Sequence, residues 1–248
     1  MTAVLPKISV VTPSYNQAAY LERTIRSVLD QNYPHIEYII IDGGSSDGSV
    51  DIIRKYADRL AYWVSETDRG QAHAINKGLQ LSTGDWVAWQ NSDDIFLPGT
   101  FQQLAHASAI FSDASLIIGD MNLVDKDDNL LRDMKYVKPT YASLLAEGMV
   151  LTNQAAFWRR TVHAELGYLD ESFDCSFDFD WFLRLLADGR SAEHVNGVWG
   201  ALRLHEQTKT SNRQSVFDEE YKRIRLGREA SAWTSARSRS MQISSRRR

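Results

Sequence analysis

Short apolar runs alternate with amphipathic segments over the first hundred residues, which predicts a series of strands and helices. Four runs have the length and β-branched content of buried strands, at residues 8–12, 37–42, 62–64 and 86–90. Apolar residues recur at helical spacing between and after them, at residues 18–30, 51–56, 71–81 and 98–111. This order predicts an α/β fold with a doubly wound, mainly parallel central sheet flanked by helices.

The pattern changes after a further strand at residues 116–120. A small antiparallel hairpin is predicted over 121–135, around the turn 126–129. The remaining elements are predicted as helices at 141–147 and 179–188, a strand at 195–204 and a helix at 213–229. We therefore expect one domain over 1–211, with a nucleotide-binding half of about 1–120 and an acceptor and catalytic half of about 121–211. A helical extension and a basic, disordered tail would follow over 212–248.

Composition narrows the class of protein. The 248 residues are 43% hydrophobic, enough for a sizeable core, and Cys175 is the single cysteine, which excludes a disulfide framework within the chain. No segment resembles a signal peptide or reaches about 20 uninterrupted apolar residues. These features predict a cytoplasmic protein without a membrane-spanning helix.

Charge is distributed unevenly along the chain. The formal net charge is −4, yet the residues from Lys222 onward are strongly basic and the body is acidic. An acidic body argues against a nucleic-acid partner. The basic tail, ending at Arg246–Arg248, could hold the protein at the inner face of a membrane. The alternative is a solvated tail without a partner.

Polar residues follow each of the first four predicted strands, at 13–16, 42–47, 66–70 and 91–94. In open α/β sheets, ligands bind beyond the carboxyl ends of the strands. The sequence therefore predicts that these four segments form a binding site.

The segment Asn91-Ser92-Asp93-Asp94 suits a metal site. Adjacent carboxylates repel each other unless a cation neutralises them, and hard oxygen ligands favour Mg²⁺ or Mn²⁺. The alternative for Asp94 is a cap of the helix that follows. The position directly after a strand favours the metal.

Three further segments carry candidate chemistry. Asp42 begins a glycine-rich loop that could approach a nucleoside, or could be a polar turn with a helix cap. Asp178 lies among large aromatic residues, which suits a proton acceptor, and it also lies in the first turn of a predicted helix. His205 and Lys209 could serve a diphosphate, although a lone histidine is more often structural.

Several blocks together resemble the family 2 glycosyltransferases, which have the GT-A fold. The resemblance covers residues 7–211 and rests on TPSYN at 12–16, IIIDGGSSDGS at 39–49, SETDRGQAHAINKGLQLSTGDWVAWQNSDD at 65–94, TNQAAFWRR at 152–160, FDFDWFLRL at 177–185 and RLHEQTKTS at 203–211. It implies an inverting enzyme that moves a sugar from a nucleoside-diphosphate donor, most often UDP-linked, to a saccharide or lipid-linked acceptor in cell-surface polysaccharide or glycolipid synthesis.

The resemblance also implies roles for particular positions. The nucleotide would contact Pro13, Tyr15, Asn16, Asp42, Asp68, Asn91, Ser92 and Lys209, with Asp42 reading the base. Asp93, Asp94 and His205 would bind Mn²⁺ or Mg²⁺. Asp178 would be the catalytic base, and Gln154 and Trp158 would face the sugar and acceptor.

Two positions depart from the family pattern. Asn91 replaces the first acid of the DxD motif, which weakens the metal site by one carboxylate. Phe177 replaces the glutamate beside the base, and Asp180 could substitute for it. Two alternatives remain: a non-catalytic nucleotide-sugar binding module, and a sugar-1-phosphate nucleotidyltransferase, whose usual basic glycine-rich loop is absent after the first strand.

Overall fold

The computed structural model of the chain describes residues 5–187 and 189–228. Within them, nine strands form one sheet in the order β3-β2-β1-β4-β8-β6-β9-β5, with β7 paired to β6. The strands are β1 Ile8–Ser14, β2 Ile36–Asp42, β3 Tyr62–Ser65, β4 Trp86–Trp89, β5 Ile95–Phe96, β6 Leu116–Val124, β7 Leu130–Met134, β8 Ala156–Arg159 and β9 Ala192–Arg203.

The helices are α1 Ala18–Leu29, α2 Ser49–Lys55, α3 Gln71–Leu81, α4 Thr100–Ile110, α5 Tyr141–Glu147, α6 His163–Leu166, α7 Phe177–Ala187 and α8 Lys209–Asn212. Residues 214–228 are also helical, and we name this helix α9. No helix in the described ranges is long and apolar enough to span a bilayer. The predicted membrane-binding tail, including Arg246–Arg248, lies outside the described residues.

The predicted α/β fold is confirmed, including its parallel half. β3, β2, β1 and β4 pair in parallel, as the four buried runs predict. β8 then pairs antiparallel with both β4 and β6, while β9 runs parallel to β6. Most of the paired residues lie in parallel strand pairs. The antiparallel hairpin predicted over 121–135 is formed by β6 and β7.

Alternating side chains of each strand enter two cores, one on each face of the sheet. In β1, Val10 packs beneath α1, α2 and α4, whereas Val11 packs beneath α3, α5 and α7. Burial on both faces explains why these strands have continuous apolar runs rather than alternating ones.

Several predicted boundaries shift. β1 continues through Pro13 to Ser14 instead of ending at the proline. α4 begins at Thr100 rather than at Pro98, because Gly99 precedes it in the left-handed conformation, with φ of 82°. α7 begins at Phe177, two residues earlier than predicted.

The C-terminal helix α9, which falls in the extension predicted over 212–248, packs against the sheet domain. Ile224 of α9 is 4% exposed and belongs to the core that α3, α5 and α7 share. Tyr221 meets Phe179 of α7 edge to face, with ring centroids 4.5 Å apart. α9 is therefore packed against the sheet domain as an integral layer.

Candidate functional site

The polar segments that follow β1 and β2 are joined directly at the carboxyl edge of the sheet. The Asn16 backbone N–H donates to Ser45 Oγ at 2.8 Å, and Asn16 Oδ1 accepts from the Ser46 N–H at 2.9 Å. Asn16 has a φ of 52°, a left-handed conformation that asparagine tolerates. The structure thus brings these two predicted segments together, with Asn16 as their link.

Tyr15 and Asp68 pack close to Gly43, and we refer to the surface that these three residues form as the cleft. A β-carbon at Gly43 would lie 2.8 Å from Asp68 Oδ2 and 3.3 Å from the Tyr15 ring. Tyr15 is 64% exposed, which leaves a ring face open for stacking against a planar ligand. Pro13, by contrast, is buried within β1 opposite Ile41, so it supports the cleft from below.

Asp42 has a different role from the one that the resemblance implies. It is fully buried, and its carboxylate accepts from Gly44 N–H, Ser45 N–H, Ser45 Oγ and Ser65 Oγ at 2.5–3.1 Å. Four donors use the acceptor capacity of a carboxylate. Asp42 therefore holds the loop 43–45 in place through these hydrogen bonds.

Asp94 is turned inward and is held by three protein donors. Its Oδ2 accepts from Asn91 Nδ2 at 2.9 Å and from Gln154 Nε2 at 2.7 Å, and its Oδ1 accepts from the Arg203 N–H at 2.9 Å. Burial, followed by the nearby charge of Asp93, raises the pKa of Asp94 from 3.8 to about 7. Because α4 begins beyond Gly99, Asp94 is not a helix cap either.

Asn91 and Ser92 position this loop rather than facing solvent. Asn91 Oδ1 also accepts from Gln71 Nε2 of α3 at 2.8 Å. The Ser92 carbonyl accepts from Thr24 Oγ1 of α1 at 2.9 Å, and the serine is buried. With both carboxylate oxygens of Asp94 already bound, Asp93 is the acid of this segment that stays available to a ligand.

Asp93 is paired with His205. Asp93 Oδ2 lies 3.0 Å from His205 Nε2, and the imidazole stacks on Tyr20, with ring centroids 4.3 Å apart. His205 Nδ1 accepts from the Gln207 N–H at 3.3 Å, which leaves Nε2 as the nitrogen that faces Asp93. The structure thus brings these two residues, which the resemblance implies as metal ligands, into direct contact.

Asp93 and His205 offer an oxygen and a nitrogen that could hold a divalent cation. The 3.0 Å between Oδ2 and Nε2 is the length of a hydrogen bond, and because Nδ1 accepts from the Gln207 N–H, Nε2 carries the proton that it would have to release to bind a cation. Among the described residues no group of three or more His, Cys, Asp or Glu side chains could hold a metal. Substrate phosphates and water would have to supply the other positions, as is usual for Mg²⁺.

Arg203 contacts the backbone of Asp93 and so supports the Asp93–His205 pair. Its side chain is fully buried and donates to the Asp93 carbonyl through Nη1 and to Asp128 Oδ1 through Nε and Nη2, at 2.8 and 2.5 Å. Asp128, at the tip of the β6–β7 hairpin, also accepts from Arg23 at 2.7 Å. Both guanidinium groups lie over the Tyr20 ring, at 5.5 and 5.3 Å.

The pair therefore has a supporting shell of Tyr20, Arg23, Asp128 and Arg203. Sequence reasoning missed all four of these residues. Most of their contacts join distant parts of the chain, such as Tyr20 with His205 and Arg203 with Asp93, so no local spacing connects them.

Asp178 lies in the first turn of α7 and is partly buried. Burial raises its pKa from 3.8 to about 6, an effect that the nearby Glu220 increases and Lys209 opposes. The Phe179 N–H donates to Asp178 Oδ1 at 2.7 Å, and no other described residue donates a side-chain hydrogen bond to it. A carboxylate with a pKa near neutrality and a free oxygen is suited to accept a proton.

The short segment from His205 to Lys209 connects the two acids. His205 contacts Asp93 at one end, whereas Lys209 Nζ at the other donates to the carbonyl and carboxylate of Asp174, at 2.9 and 3.0 Å. Asp174 lies just before α7, so Lys209 is held on the side of Asp178. The ammonium group is thus near the base and bound to a carboxylate.

Three predicted acceptor or sugar contacts are corrected by the structure. Trp158 is fully buried in the central strand β8, and its Nε1 donates to His163 Nε2 at 3.0 Å. Gln154 is buried and anchors Asp94. Asp180 accepts from Arg184 at 2.7 Å and from Arg228 at 2.8 Å, so it cannot replace the missing glutamate beside the base.

Known proteins resemble this chain in sequence. A family model described as glycosyl transferase family 2 matches residues 9–163. An uncharacterized glycosyltransferase of Nostoc sp. is 31% identical over 189 residues, which cover 74% of this chain and 57% of the relative. The putative teichuronic acid biosynthesis glycosyltransferase TuaG of Bacillus subtilis is 45% identical over 97 residues, 38% of each chain.

Solved structures share the fold. TarS 1–349 of S. aureus, crystallised with UDP, superposes with a TM-score of 0.69 at 20% identity, covering 80% of this chain and 60% of that chain. The mannosyltransferase PcManGT of Pyrobaculum calidifontis, in complex with GDP-Man and Mn²⁺, gives 0.60 at 20% identity, covering 84% and 60%. The matches thus span between about a third and two thirds of the lengths of these proteins.

Proposed function

The chain belongs to glycosyltransferase family 2, and from that membership we propose that it transfers a sugar from a nucleoside-diphosphate sugar to an acceptor hydroxyl. The observation that carries the proposal is that the structure holds two acids in different environments, Asp93 against a histidine and Asp178 in a partly buried helix turn. Asp93 with His205 suits a cation at a diphosphate, and Asp178, across the segment 205–209, has the pKa of a general base.

We propose that the donor nucleotide occupies the cleft over Gly43. Its base would stack on the exposed Tyr15 ring, and Asp68 would accept from the nucleoside on the opposite wall. UDP is the preferred nucleotide, since TarS binds UDP and UDP-GlcNAc, although PcManGT binds GDP-Man. Tyr15 and Asp68, rather than the buried Asp42, would then contact the nucleoside directly.

Asp93 and His205 would hold Mn²⁺ or Mg²⁺ together with diphosphate oxygens. Bound there, the cation would supply positive charge that stabilises the departing diphosphate. The observation in favour is that a carboxylate and an imidazole, two common ligand types for divalent cations, lie in direct contact, with the carboxylate in the segment that follows β4. The Mn²⁺ complex of PcManGT supports a divalent cation in a protein of the same fold.

Asp178 would take the proton from the acceptor hydroxyl as that oxygen attacks the anomeric carbon. The new carbon–oxygen bond forms while the bond to the diphosphate breaks, and the electron pair leaves with the nucleoside diphosphate. A single displacement with the base opposite the leaving group inverts the anomeric configuration. Lys209 would keep the base charged by its proximity.

The acceptor class follows by similarity alone. TuaG is named for teichuronic acid biosynthesis, so we propose a saccharide or lipid-linked acceptor in cell-surface polysaccharide synthesis. A cytoplasmic location, with tail-mediated contact at the inner face of the membrane, is part of the same proposal.

Transfer is tested by measuring UDP and GDP release from a panel of nucleotide sugars, with Mn²⁺ or with chelator. The proposal expects metal-dependent release from a UDP-sugar that increases when an acceptor saccharide is added. Nucleotide binding without any release, from every donor and with every acceptor tried, would favour the non-catalytic binding module instead.

A further inference from the structure

The C-terminal helix α9 returns to the start of α7, where the proposed base lies. Its contacts include the Tyr221–Phe179 ring pair, the Arg228–Asp180 ion pair at 2.8 Å and Arg223 over the Phe173 ring at 4.0 Å. α9 lies beyond residue 163, where the family match ends. It is nonetheless in contact with the segment that carries the base.

Glu220 of α9 binds the turn that precedes α7. Its Oε1 accepts from the Asp174 N–H at 2.7 Å, and its Oε2 accepts from the Cys175 and Ser176 N–H groups at 3.0 and 2.7 Å. Three successive backbone donors therefore converge on one carboxylate. Hydrogen bonds to a charged acceptor are stronger than neutral ones, so this turn is firmly held.

The position of this turn determines the direction of Asp178. Ser176 is the residue before α7 begins, and Asp178 is the second residue of the helix. A shift of the turn would rotate or translate the first helical turn together with the carboxylate. The Asp178 side chain itself is held by backbone N–H groups of its own helical turn, including that of Phe179 at 2.7 Å.

Charged groups reach Asp178 from each of the neighbouring elements. Glu220 and Tyr221 of α9 and Lys209 of α8 interact electrostatically with Asp178. Lys209 also forms an ion pair with Asp174, in the turn before α7, as does Arg213. The negative charge of Glu220 disfavours the ionised form of Asp178, and Lys209 favours it. Burial has the largest effect on this pKa.

We propose that Glu220 is a positioning residue for the base, holding the turn 174–176 so that Asp178 faces the acceptor, and that α9 is thereby part of the catalytic centre. The inference rests on the proposed function, because it takes Asp178 as the base. Glu220 would also supply a carboxylate near the base. Residue 177 is a phenylalanine, and the Asp180 carboxylate is already bound to Arg184 and Arg228.

The test compares Glu220→Gln with Glu219→Gln. The two variants make the same change at adjacent positions, but Glu219 is exposed. An amide at residue 220 keeps one acceptor and places an NH₂ group against a backbone N–H, which loosens the turn. We expect Glu220→Gln to lower kcat about 10- to 100-fold, because small displacements of a catalytic group are costly. The KM for the donor and the affinity for UDP should stay within about twofold.

The pH profile separates positioning of the base from a general loss of stability. Removing the charge of Glu220 should lower the pKa of Asp178, so the rising limb of kcat should move to lower pH in Glu220→Gln and stay in place in Glu219→Gln. Glu220→Asp retains the charge but shortens the reach, so it should lose kcat without moving the limb. If Glu220→Gln fails to fold, the loss of kcat in Glu220→Asp tests the positioning role instead.

The inference is overturned if both Glu220 variants keep the kcat and pH midpoint of the wild type. It is also overturned if Glu219→Gln loses as much kcat as Glu220→Gln. Failure of the proposed function has a different signature, since the wild type itself would then release no nucleotide in the presence of metal.

Discussion

Replacing Asp178 with asparagine should abolish turnover and yet stabilise the folded protein at alkaline pH. The amide has the size of the carboxylate, and its oxygen can still accept from the Phe179 N–H, which lies 2.7 Å from Oδ1 in the wild type. The substitution therefore removes the charge and the basicity while leaving the local packing in place.

The magnitude of the stability effect follows from the pKa. Burial raises the pKa of Asp178 from 3.8 to about 6, so the folded state binds this proton more tightly than the unfolded state. The stabilisation that this proton provides is present below pH 3.8 and is lost as the pH rises through 6. A difference of about two pH units corresponds to about 3 kcal/mol at most, and solvent screening of a partly exposed carboxylate lowers this to about 1–2 kcal/mol.

Asparagine carries no charge at any pH, so the gain should appear at pH 8 and vanish near pH 4. Thermal or urea unfolding of both proteins at the two pH values measures it. Turnover at pH 8, followed as nucleotide release, should fall about 100- to 10,000-fold, the usual contribution of a general base. The affinity for UDP should not change, because Asp178 lies outside the nucleotide cleft.

Two results would refute this reasoning. Turnover within threefold of the wild type would remove Asp178 as the base. A variant that is less stable than the wild type at pH 8 would show that the carboxylate is stabilised in the folded state and has no raised pKa.

Three further predictions concern the donor site. Asp93→Ala should abolish the Mn²⁺ dependence of UDP binding measured by calorimetry, and unchanged metal dependence would exclude Asp93 as a ligand. Asp128→Asn should weaken Mn²⁺ binding, measured by EPR in the presence of UDP, by about 10-fold, since supporting residues tune metal sites. The neighbouring Asp127→Asn, whose partner is the exposed Lys126, should have no effect, and equal losses would contradict the role of Asp128. Gly43→Ala should reduce UDP affinity about 10-fold or more, because its methyl group would displace Asp68 from the cleft. Wild-type affinity would place the nucleotide elsewhere.

Three of the four N-terminal parallel strands, β1, β2 and β4, could be predicted from their apolar runs because both of their faces are buried, whereas the edge strand β3 is partly exposed. Residues 37–42 form a continuous apolar run that leads to an acid, and the structure has β2 there at Ile36–Asp42. β8 could not be predicted in the same way. It has only four residues, Ala156–Arg159, directly after a 3-10 helix, which is too short for a strand pattern of apolar and polar positions. The resemblance alone implies that Trp158 faces the sugar, whereas β8 lies between β4 and β6 and Trp158 is fully buried there.

The candidate site was predictable where its residues follow a strand, and not where they are held by distant partners. Asp93 follows the strand β4 in sequence, and this position is what singles it out before its contact with His205 is known. The anchoring of Asp94, by contrast, depends on Gln154 and Arg203, which are 60 and 109 residues away. Glu220 likewise acts over 44–46 residues, a separation that no local pattern encodes.

The central claim, a cation-dependent nucleotide-sugar site at Asp93 and His205, is tested most directly by calorimetric titration of UDP and GDP into the full chain. The titration is done once with Mn²⁺ and once with chelator. We predict UDP binding that requires the metal and is tighter than GDP binding. Absence of binding by either nucleotide, or UDP affinity that is equal with Mn²⁺ and with chelator, would contradict the account.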